Sequence, residues 1–413
     1  MSEKSVDKGG GKLPGSFVVW VVFTALSMFG VQIVSFSMGW AASAHGPAVA
    51  GIVLTATVLP RALLLLVGGA VADRVGAWKM LVIGDSVMLA AVLALFGATL
   101  HWGTPAVLLV LMSLVIGTVD AFYIPASGSL PRRMLTREQL PRGMSMRQIG
   151  YQLAGVLGAP VAGVVFGSFG LAGSALINVI TFGVMLVVLL LLRNAVGSVP
   201  ERRPENSQTS ILTEVGDGLR VVWTDRLLRD AVLLVTATTA LLLPIVPLLI
   251  PVLGRESGWT SQTTGIAVGA FGVGTAIVAV LVLTRGALPR PGVVAGLGPA
   301  LAALGAVALA LPTDSLMVPV VGAFVIGLGT GLFSTHVGPL LLGGAPREFI
   351  SRVQSIVALA QSLPLVLANA GLGFLAEAVG VRTVLVGVAI GLAIVTCGAV
   401  SSASLRAVGR TEN

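Results

Sequence analysis

The chain has 413 residues, of which 55% are hydrophobic and only 10% are charged. Soluble domains carry about 25% charged residues, so this composition argues against a water-soluble globular protein and predicts that lipid surrounds the chain. The net charge of +8 alone would suggest nucleic-acid binding, but the positions of the basic residues give a different explanation below. The single cysteine, Cys397, excludes an intramolecular disulfide.

Twelve apolar stretches follow one another along the chain, and a helix of about 20 such residues crosses a bilayer. The predicted helices are 16–38, 48–71, 80–100, 105–126, 144–167, 171–192, 230–253, 262–283, 291–311, 315–337, 353–376 and 381–401. Pro244, Pro247 and Pro251 fall in one half of the seventh helix and predict a kink there. The fold class is therefore an all-α membrane protein.

The polar segments divide the chain into five predicted parts. These are a cytoplasmic tail at 1–15, a six-helix bundle at 16–192, a linker at 193–229, a second six-helix bundle at 230–401 and a tail at 402–413. Apolar residues at helical spacing in 210–223 predict an amphipathic helix at the membrane surface. A tether between the two halves is the simpler interpretation of the linker, and a regulatory role is the alternative.

The basic residues indicate the orientation. Of the 25 lysines and arginines, only Arg61, Arg255 and Arg382 lie outside the tails, the alternate loops and the helix ends next to those loops. Cytoplasmic loops carry an excess of Lys and Arg, so both termini are expected in the cytoplasm. This distribution also explains the positive net charge without nucleic acid. No cluster of histidines or cysteines suggests metal or covalent chemistry.

Short sequences of the first half recur in the second. Val115-Ile116-Gly117 returns as Val325-Ile326-Gly327, and Ala50-Gly51-Ile52 is echoed by Thr264-Gly265-Ile266. The near-constant spacing of about half the chain predicts two pseudo-symmetric bundles. Transporters built from such repeats bind substrate between the halves, near the membrane midplane, and expose it to each side in turn.

A charged, glycine-containing segment links helices 2 and 3: Gly69-x-x-Ala72-Asp73-Arg74-x-Gly76, followed by Lys79. Together with the six-plus-six repeat, it resembles the major facilitator superfamily over essentially the whole chain. The resemblance implies that Asp73 approaches the amino-terminal end of helix 11, where the helix dipole favours a carboxylate, and latches the cytoplasmic side shut. Alternatively, Asp73 and Arg74 serve only a tight turn. The usual Arg-Lys pair after the second glycine is replaced by Ala77-Trp78.

Helix 5 carries Gly155-x-x-x-Ala159-Pro160-x-x-Gly163. It resembles the glycine–proline motif of antiporters in this superfamily and favours export. An ordinary seam of small residues that allows close helix packing explains Gly155 and Gly163 equally well.

Two charges lie close to the middle of predicted membrane helices, Arg61 in helix 2 and Asp120 in helix 4. Charges in such positions usually pair or line a polar path, and the similar depth of these two makes them a natural pair. Asp120 either takes up a proton and releases Arg61 during transport, or forms a fixed ion pair that holds the first bundle together.

Other polar residues in the helices are candidates for substrate contact, namely Gln32, Tyr123, Gln361 and Asn369. The alternative is that the amides hydrogen-bond between helices. Asp85 is expected to partner a basic loop residue, and His336 is expected to be solvated.

The segment Asp120-Ala121-Phe122-Tyr123-x-Pro125-Ala126, with Leu130-Pro131, resembles the macrolide-efflux and siderophore-exporter branch of the superfamily. The resemblance implies export of a medium-sized, partly hydrophobic compound from a bacterial cytoplasm, driven by the proton gradient without a cofactor. We expect a monomer in the plasma membrane, with both termini cytoplasmic. Metabolite uptake or facilitated diffusion is the alternative. An enzyme or receptor is disfavoured, because we find neither a catalytic constellation nor an extramembrane ligand domain.

Overall fold

The computed structural model describes residues 12–193, 219–220, 222–344 and 350–408, without the side chains at 65–67, 69–70, 72–73, 342–344, 350–352 and 355. Most of the predicted amphipathic helix, at 210–218 and 221, lies outside these residues. The described part of the chain consists of helices and short connections and contains no strand.

Twelve long helices make up the described fold. The first four are α1 Gly15–Ser43, α2 Pro47–Val75, α3 Ala77–Trp102 and α4 Ala106–Met134. The run Leu140–Leu191 is two helices, α5 (140–169) and α6 (171–191), because Gly170 between them has φ 63° and ψ −162°. The others are α7 Arg226–Glu256, α8 Ser261–Arg285, α9 Pro291–Ala310, α10 Met317–Gly344, α11 Ile350–Val379 and α12 Val381–Ser401, followed by a short α13 Ala403–Ala407. The predicted all-α membrane fold is confirmed.

Several helices extend further than the apolar stretches predict. The segment 127–143, predicted as a polar link, is mostly helical, since α4 continues to Met134 and α5 begins at Leu140. Hydropathy marks only the part of a helix that faces lipid, whereas backbone hydrogen bonds continue beyond the hydrocarbon.

The irregularity predicted for α7 takes the form of a π-helical turn at Ile245–Leu249. The amides of Leu248 and Leu249 both donate to the carbonyl of Pro244, at 3.0 and 3.2 Å. Pro247 has no N–H to donate, and in a regular α-helix its ring would clash with the carbonyl four residues earlier. The ladder therefore shifts by one residue here, while Ile245, Leu248 and Leu249 stay fully buried.

The helices form two halves, α1–α6 and α7–α12, which meet along two seams: α5 packs on α8, and α2 packs on α11. We call the side where α1 begins and α12 ends the terminal face, and the other side the far face. The largest apolar core cluster combines Met38 and Val53 of the first half with Ile250 and Leu253 of the second. The halves are therefore packed against each other towards the far face.

Candidate functional site

The α5–α8 seam brings the two backbones close through glycines. A Cβ atom added to Gly163 would lie 2.5 Å from the carbonyl oxygen of Ser261, and one on Gly265 would lie 2.6 Å from that of Ala159. The Ser261 hydroxyl donates to the Gly163 carbonyl at 2.8 Å. The ring of Pro160 lies against Gly269 of α8. The glycine–proline segment of helix 5 therefore contributes to the contact between the halves.

The α2–α11 seam repeats this arrangement. A Cβ atom on Gly51 would lie 2.5 Å from the carbonyl oxygen of Asn369, and one on Gly373 would lie 2.8 Å from that of Pro47. Gly51 and Gly265 belong to the two copies of the sequence repeat, and they occupy matching places in the two seams. The other pair of repeated glycines also matches: Gly117 packs on the backbone of Thr57, and Gly327 packs on that of Phe271.

Polar contacts reinforce both seams towards the far face. The Arg255 guanidinium lies 3.9 Å from the centre of the Trp40 ring, across the halves, and donates to the Trp40 carbonyl at 3.2 Å. On the other seam, the amide of Ala48 donates to Glu377 Oε2 at 3.0 Å. The hydroxyl of Thr55 donates to the Val366 carbonyl at 3.2 Å. The far face is closed by these contacts.

A cavity of about 270 Å³ lies between the halves. Helices α1, α2 and α5 line it from the first half, and α7 and α8 line it from the second. Its wall is mainly apolar, none of its lining residues is charged, and its polar side chains are those of Gln32, Ser35, Gln152 and Thr275. An apolar wall with a few polar groups is the usual composition of a small-molecule site.

Gln152 stands at one end of this cavity and donates to the Thr275 hydroxyl at 3.1 Å, from α5 to α8. It also lines a groove of about 580 Å³ between the terminal-face parts of the same two helices, together with Leu153 and Val280. The α5–α8 seam is tight at Gly163 and open beyond Gln152, so these two helices diverge towards the terminal face.

The four candidate substrate contacts lie in different surroundings. Gln32 lines the cavity, and Gly158 of α5 packs against its side chain. Asn369 is buried in the α2–α11 seam, where its Oδ1 lacks a hydrogen bond. Gln361 is exposed on α11, and Tyr123 lies within the first half against Gly84. The structure therefore brings only Gln32 of this set into the cavity.

Arg61 and Asp120 are both half-buried on the packed helices α2 and α4. Arg61 exerts a Coulombic attraction on the Asp120 carboxylate. No nitrogen–oxygen distance within 4.0 Å joins them, whereas Arg229 and Asp230, elsewhere in the described chain, lie 3.5 Å apart. The two residues are therefore neighbours without a direct ion pair in this conformation.

Sequence reasoning missed the surroundings of Asp85. Its side chain is fully buried, and neither carboxyl oxygen has a hydrogen-bond partner. The expected partnership with a basic loop residue is wrong, because the side chain that interacts with Asp85 is Tyr123 of α4 and no basic group among the described residues acts on it. The sequence did contain a signal for this burial. Asp85 lies within the apolar stretch 80–100, and no Lys or Arg of that stretch could pair with it along the helix.

The expectation that His336 is solvated is also wrong. This residue is fully buried, its Nε2 accepts from the amide of Leu288 at 3.0 Å, and its Nδ1 donates to the carbonyl of Leu332 at 2.9 Å. The imidazole thus anchors the α8–α9 connection to α10. Its position close to the inner end of helix 10 suggested exposure, but the loop at Leu288 covers it.

Comparisons with known proteins identify the family. The sequence profile of the Major Facilitator Superfamily matches residues 20–369. The chain belongs to this superfamily. It is accordingly a multi-pass membrane transporter and not an enzyme.

Similar proteins include multidrug efflux pumps. The multidrug efflux pump Tap of Mycobacterium bovis is 25% identical over 246 residues, and the match spans 58% of each protein. The Tap pump of Mycolicibacterium fortuitum is 25% identical over 280 residues, covering 63% of this chain and 66% of the pump. The chain thus matches little more than half the length of the first of these relatives.

Solved structures agree on the fold. The nucleoside transporter NupG superposes with a TM-score of 0.72 at 11% identity, over 94% of this chain and 99% of NupG. A POT family transporter in complex with 5-aminolevulinic acid gives a TM-score of 0.73 at 14% identity, over 93% and 95% of the chains. These identities support the shared fold alone.

The segment that the superfamily resemblance singles out joins α2 to α3 in this facilitator. Gly76, with φ 99°, is the only residue between the two helices, and Arg74 and Lys79 are exposed beside it. The surroundings of Gly69 and the side chain of Asp73 lie outside the described part of the structure, as does the segment 345–349 before α11. Trp78 donates to the Leu189 carbonyl at 3.2 Å and so ties α3 to α6.

Proposed function

We propose that this facilitator exports a medium-sized, partly hydrophobic compound from a bacterial cytoplasm in exchange for protons, by alternating access. The observation that carries the proposal is the uncharged, mainly apolar cavity between the halves. Such a cavity suits a compound with a large apolar surface and a few hydrogen-bonding groups. The likeness to multidrug efflux pumps, at 25% identity, supports the same direction.

The conformation fits the first step of such a cycle. The seams and Arg255 close the far face, whereas α5 and α8 diverge towards the terminal face. The basic residues lie mainly on the terminal face, so the positive-inside rule assigns that face to the cytoplasm. The compound would then enter from the cytoplasm and leave after the halves rock about the cavity. One chain supplies both halves, so a monomer suffices.

Dye efflux in bacterial cells tests this proposal. Cells that express the chain are loaded with ethidium or Hoechst 33342, and the loss of fluorescence is compared with vector-only cells, with and without a protonophore. Faster efflux that the protonophore abolishes is expected. Faster dye entry would identify an uptake carrier instead, and efflux insensitive to the protonophore would contradict proton exchange.

A further inference from the structure

One titratable group stands apart from the cavity and from the Arg61–Asp120 neighbourhood. Asp85 lies on α3 with 0% of its surface exposed, and both carboxyl oxygens lack a hydrogen-bond partner. An ionised carboxylate in an apolar interior is strongly disfavoured unless it is paired, and such groups become neutral instead. This packing therefore accommodates the protonated acid.

Among the described residues, the side chain that interacts with Asp85 is the uncharged Tyr123. From α4, the Tyr123 ring packs over Gly84, where an added Cβ would lie 2.7 Å from Tyr123 Cδ2. The Tyr123 hydroxyl is close to the carboxyl, although it does not reach hydrogen-bond geometry with either oxygen. The phenol is thus placed to donate to a carboxylate after a small movement.

Beyond Tyr123 lie the groups of α5, Tyr151 and Arg147, which are within electrostatic range of the phenol. Arg147 is engaged elsewhere: it donates to the Tyr151 hydroxyl at 2.8 Å and to Ser127 Oγ at 3.0 Å. The α2 side chains at 65–67 and 72–73 are outside the description. Among the described residues, no basic group acts directly on Asp85.

We propose that Asp85 is the residue that binds the transported proton, and that Tyr123 positions it. The proposal rests on the proton exchange proposed above and names its carrier. In the state with a closed far face Asp85 is neutral. When the exported compound binds, the carboxyl O–H bond breaks, the proton leaves to water on the terminal side, and Tyr123 donates to the carboxylate. After the halves rock, a proton from the far side restores the acid and the compound is released.

Purified protein in liposomes tests the assignment with ethidium as the probe. Two assays are compared: dye accumulation driven by a pH gradient, and dye counterflow at equal pH on both sides. Asp85→Asn imitates the neutral acid in shape and charge. We expect it to lower the gradient-driven accumulation about tenfold or more while counterflow remains. Asp120→Asn, whose carboxylate has Arg61 nearby, serves as the matched control and should keep both activities.

Each outcome decides a separate question. Gradient-driven accumulation that survives in Asp85→Asn would overturn the role of Asp85, and so would loss of both assays, since counterflow needs no net proton transfer. A wild-type protein that ignores the pH gradient would instead contradict proton exchange itself. If Asp85→Asn is not recovered folded, Tyr123→Phe is used, for which we expect a shifted pH profile of accumulation; an unchanged profile would overturn the assignment.

Discussion

Asp120 and Asp85 are both membrane-embedded carboxylates, yet their surroundings suit them to different tasks. Asp120 is half-buried with Arg61 in electrostatic range, whereas Asp85 is fully buried without a charged partner. We therefore expect Asp120→Asn to keep proton-driven transport and to lower the free energy of unfolding by about 1 kcal/mol, because Arg61 loses its opposite charge. Thermal unfolding and dye accumulation are the measurements.

The double variant Arg61→Gln, Asp120→Asn provides the control for that change. If the two side chains interact, the double variant should be no less stable than Asp120→Asn alone, since the uncompensated charge is gone. Additive losses would show that the two residues act independently. If Asp120→Asn lost proton-driven accumulation but kept counterflow, Asp120 and not Asp85 would be the residue that couples proton movement to transport.

Gln32 and Gln361 provide a second test at the scale of residues. Gln32 lines the cavity, and Gln361 is exposed on α11 outside it. A hydrogen bond lost on Gln32→Leu is worth about 1 kcal/mol, which corresponds to a dye affinity weakened about fivefold. We expect the apparent KM for ethidium to rise in this variant and to stay constant in Gln361→Leu. Equal effects would mean that the cavity does not hold the dye.

The sequence shows which side chains lie within apolar runs, but it does not show which neighbour covers them. Asp85 lies six residues after the exposed Lys79, a position compatible with the solvated end of a helix. It is buried because α4 crosses α3 at Gly84 and places the Tyr123 ring there. The burial of His336 likewise depends on the returning loop at Leu288. Such contacts join parts of the chain that no local pattern connects.

At the scale of helices, α11 contains two glycines with different neighbours: Gly373 packs on the backbone of α2, and Gly371 has open space beside it. An added Cβ on Gly373 would meet the Pro47 carbonyl at 2.8 Å and Gly51 Cα at 3.0 Å, but one on Gly371 meets nothing within 4 Å. Gly373→Ala must therefore push α2 and α11 apart, because both obstacles are backbone atoms. We expect it to widen the far face and to reduce its closed population, whereas Gly371→Ala should behave like the parent protein.

Spin labels on the far face measure this effect. In a Cys397→Ser background, labels at His101→Cys and Asp314→Cys lie on exposed positions of the two halves. A longer or broader distance distribution is expected with Gly373→Ala and not with Gly371→Ala. An unchanged distribution in both would show that the α2–α11 seam tolerates the extra methyl group.

The number of helices was predictable from the sequence. Hydropathy locates the twelve helices, and the repeated glycines anticipate equivalent contacts, as Gly51 and Gly265 show in the two seams. The ends of the helices were harder to predict, because α4 continues to Met134 through polar residues that hydropathy does not mark as helical. The π-helical form of the α7 break could not be predicted, because proline spacing indicates a disrupted ladder without saying how the freed carbonyls are satisfied.

For the whole molecule, the orientation in the membrane is the most direct prediction to test. Asp314 is exposed on the far face, and Arg137 is exposed on the terminal face between α4 and α5. With Cys397 replaced by serine, a membrane-impermeant maleimide should label Asp314→Cys in intact cells, and Arg137→Cys only after permeabilisation. The reverse pattern would place the terminal face outside and would reverse the proposed direction of export.

The sequence did not predict which face of the molecule is closed in this conformation. In the alternating access proposed above, the same residues form two conformations, and two such states typically differ in free energy by about a few kcal/mol. The glycines that close the seam at Gly163 indicate that α5 and α8 pack closely. They do not tell which end of the seam is closed at a given time, since the choice depends on small differences summed over both halves.

The connection through Gly76 has a mechanical consequence. With one non-helical residue between α2 and α3, the two helices have little freedom to tilt independently, and Trp78 holds the start of α3 against α6. If the halves rock as proposed above, α3 has to tilt together with α2 when the far face opens. This tilt would be transmitted to the α3–α4 contact at Gly84, and we expect it to give Asp85 access to the far side at the step in which the carboxylate regains its proton.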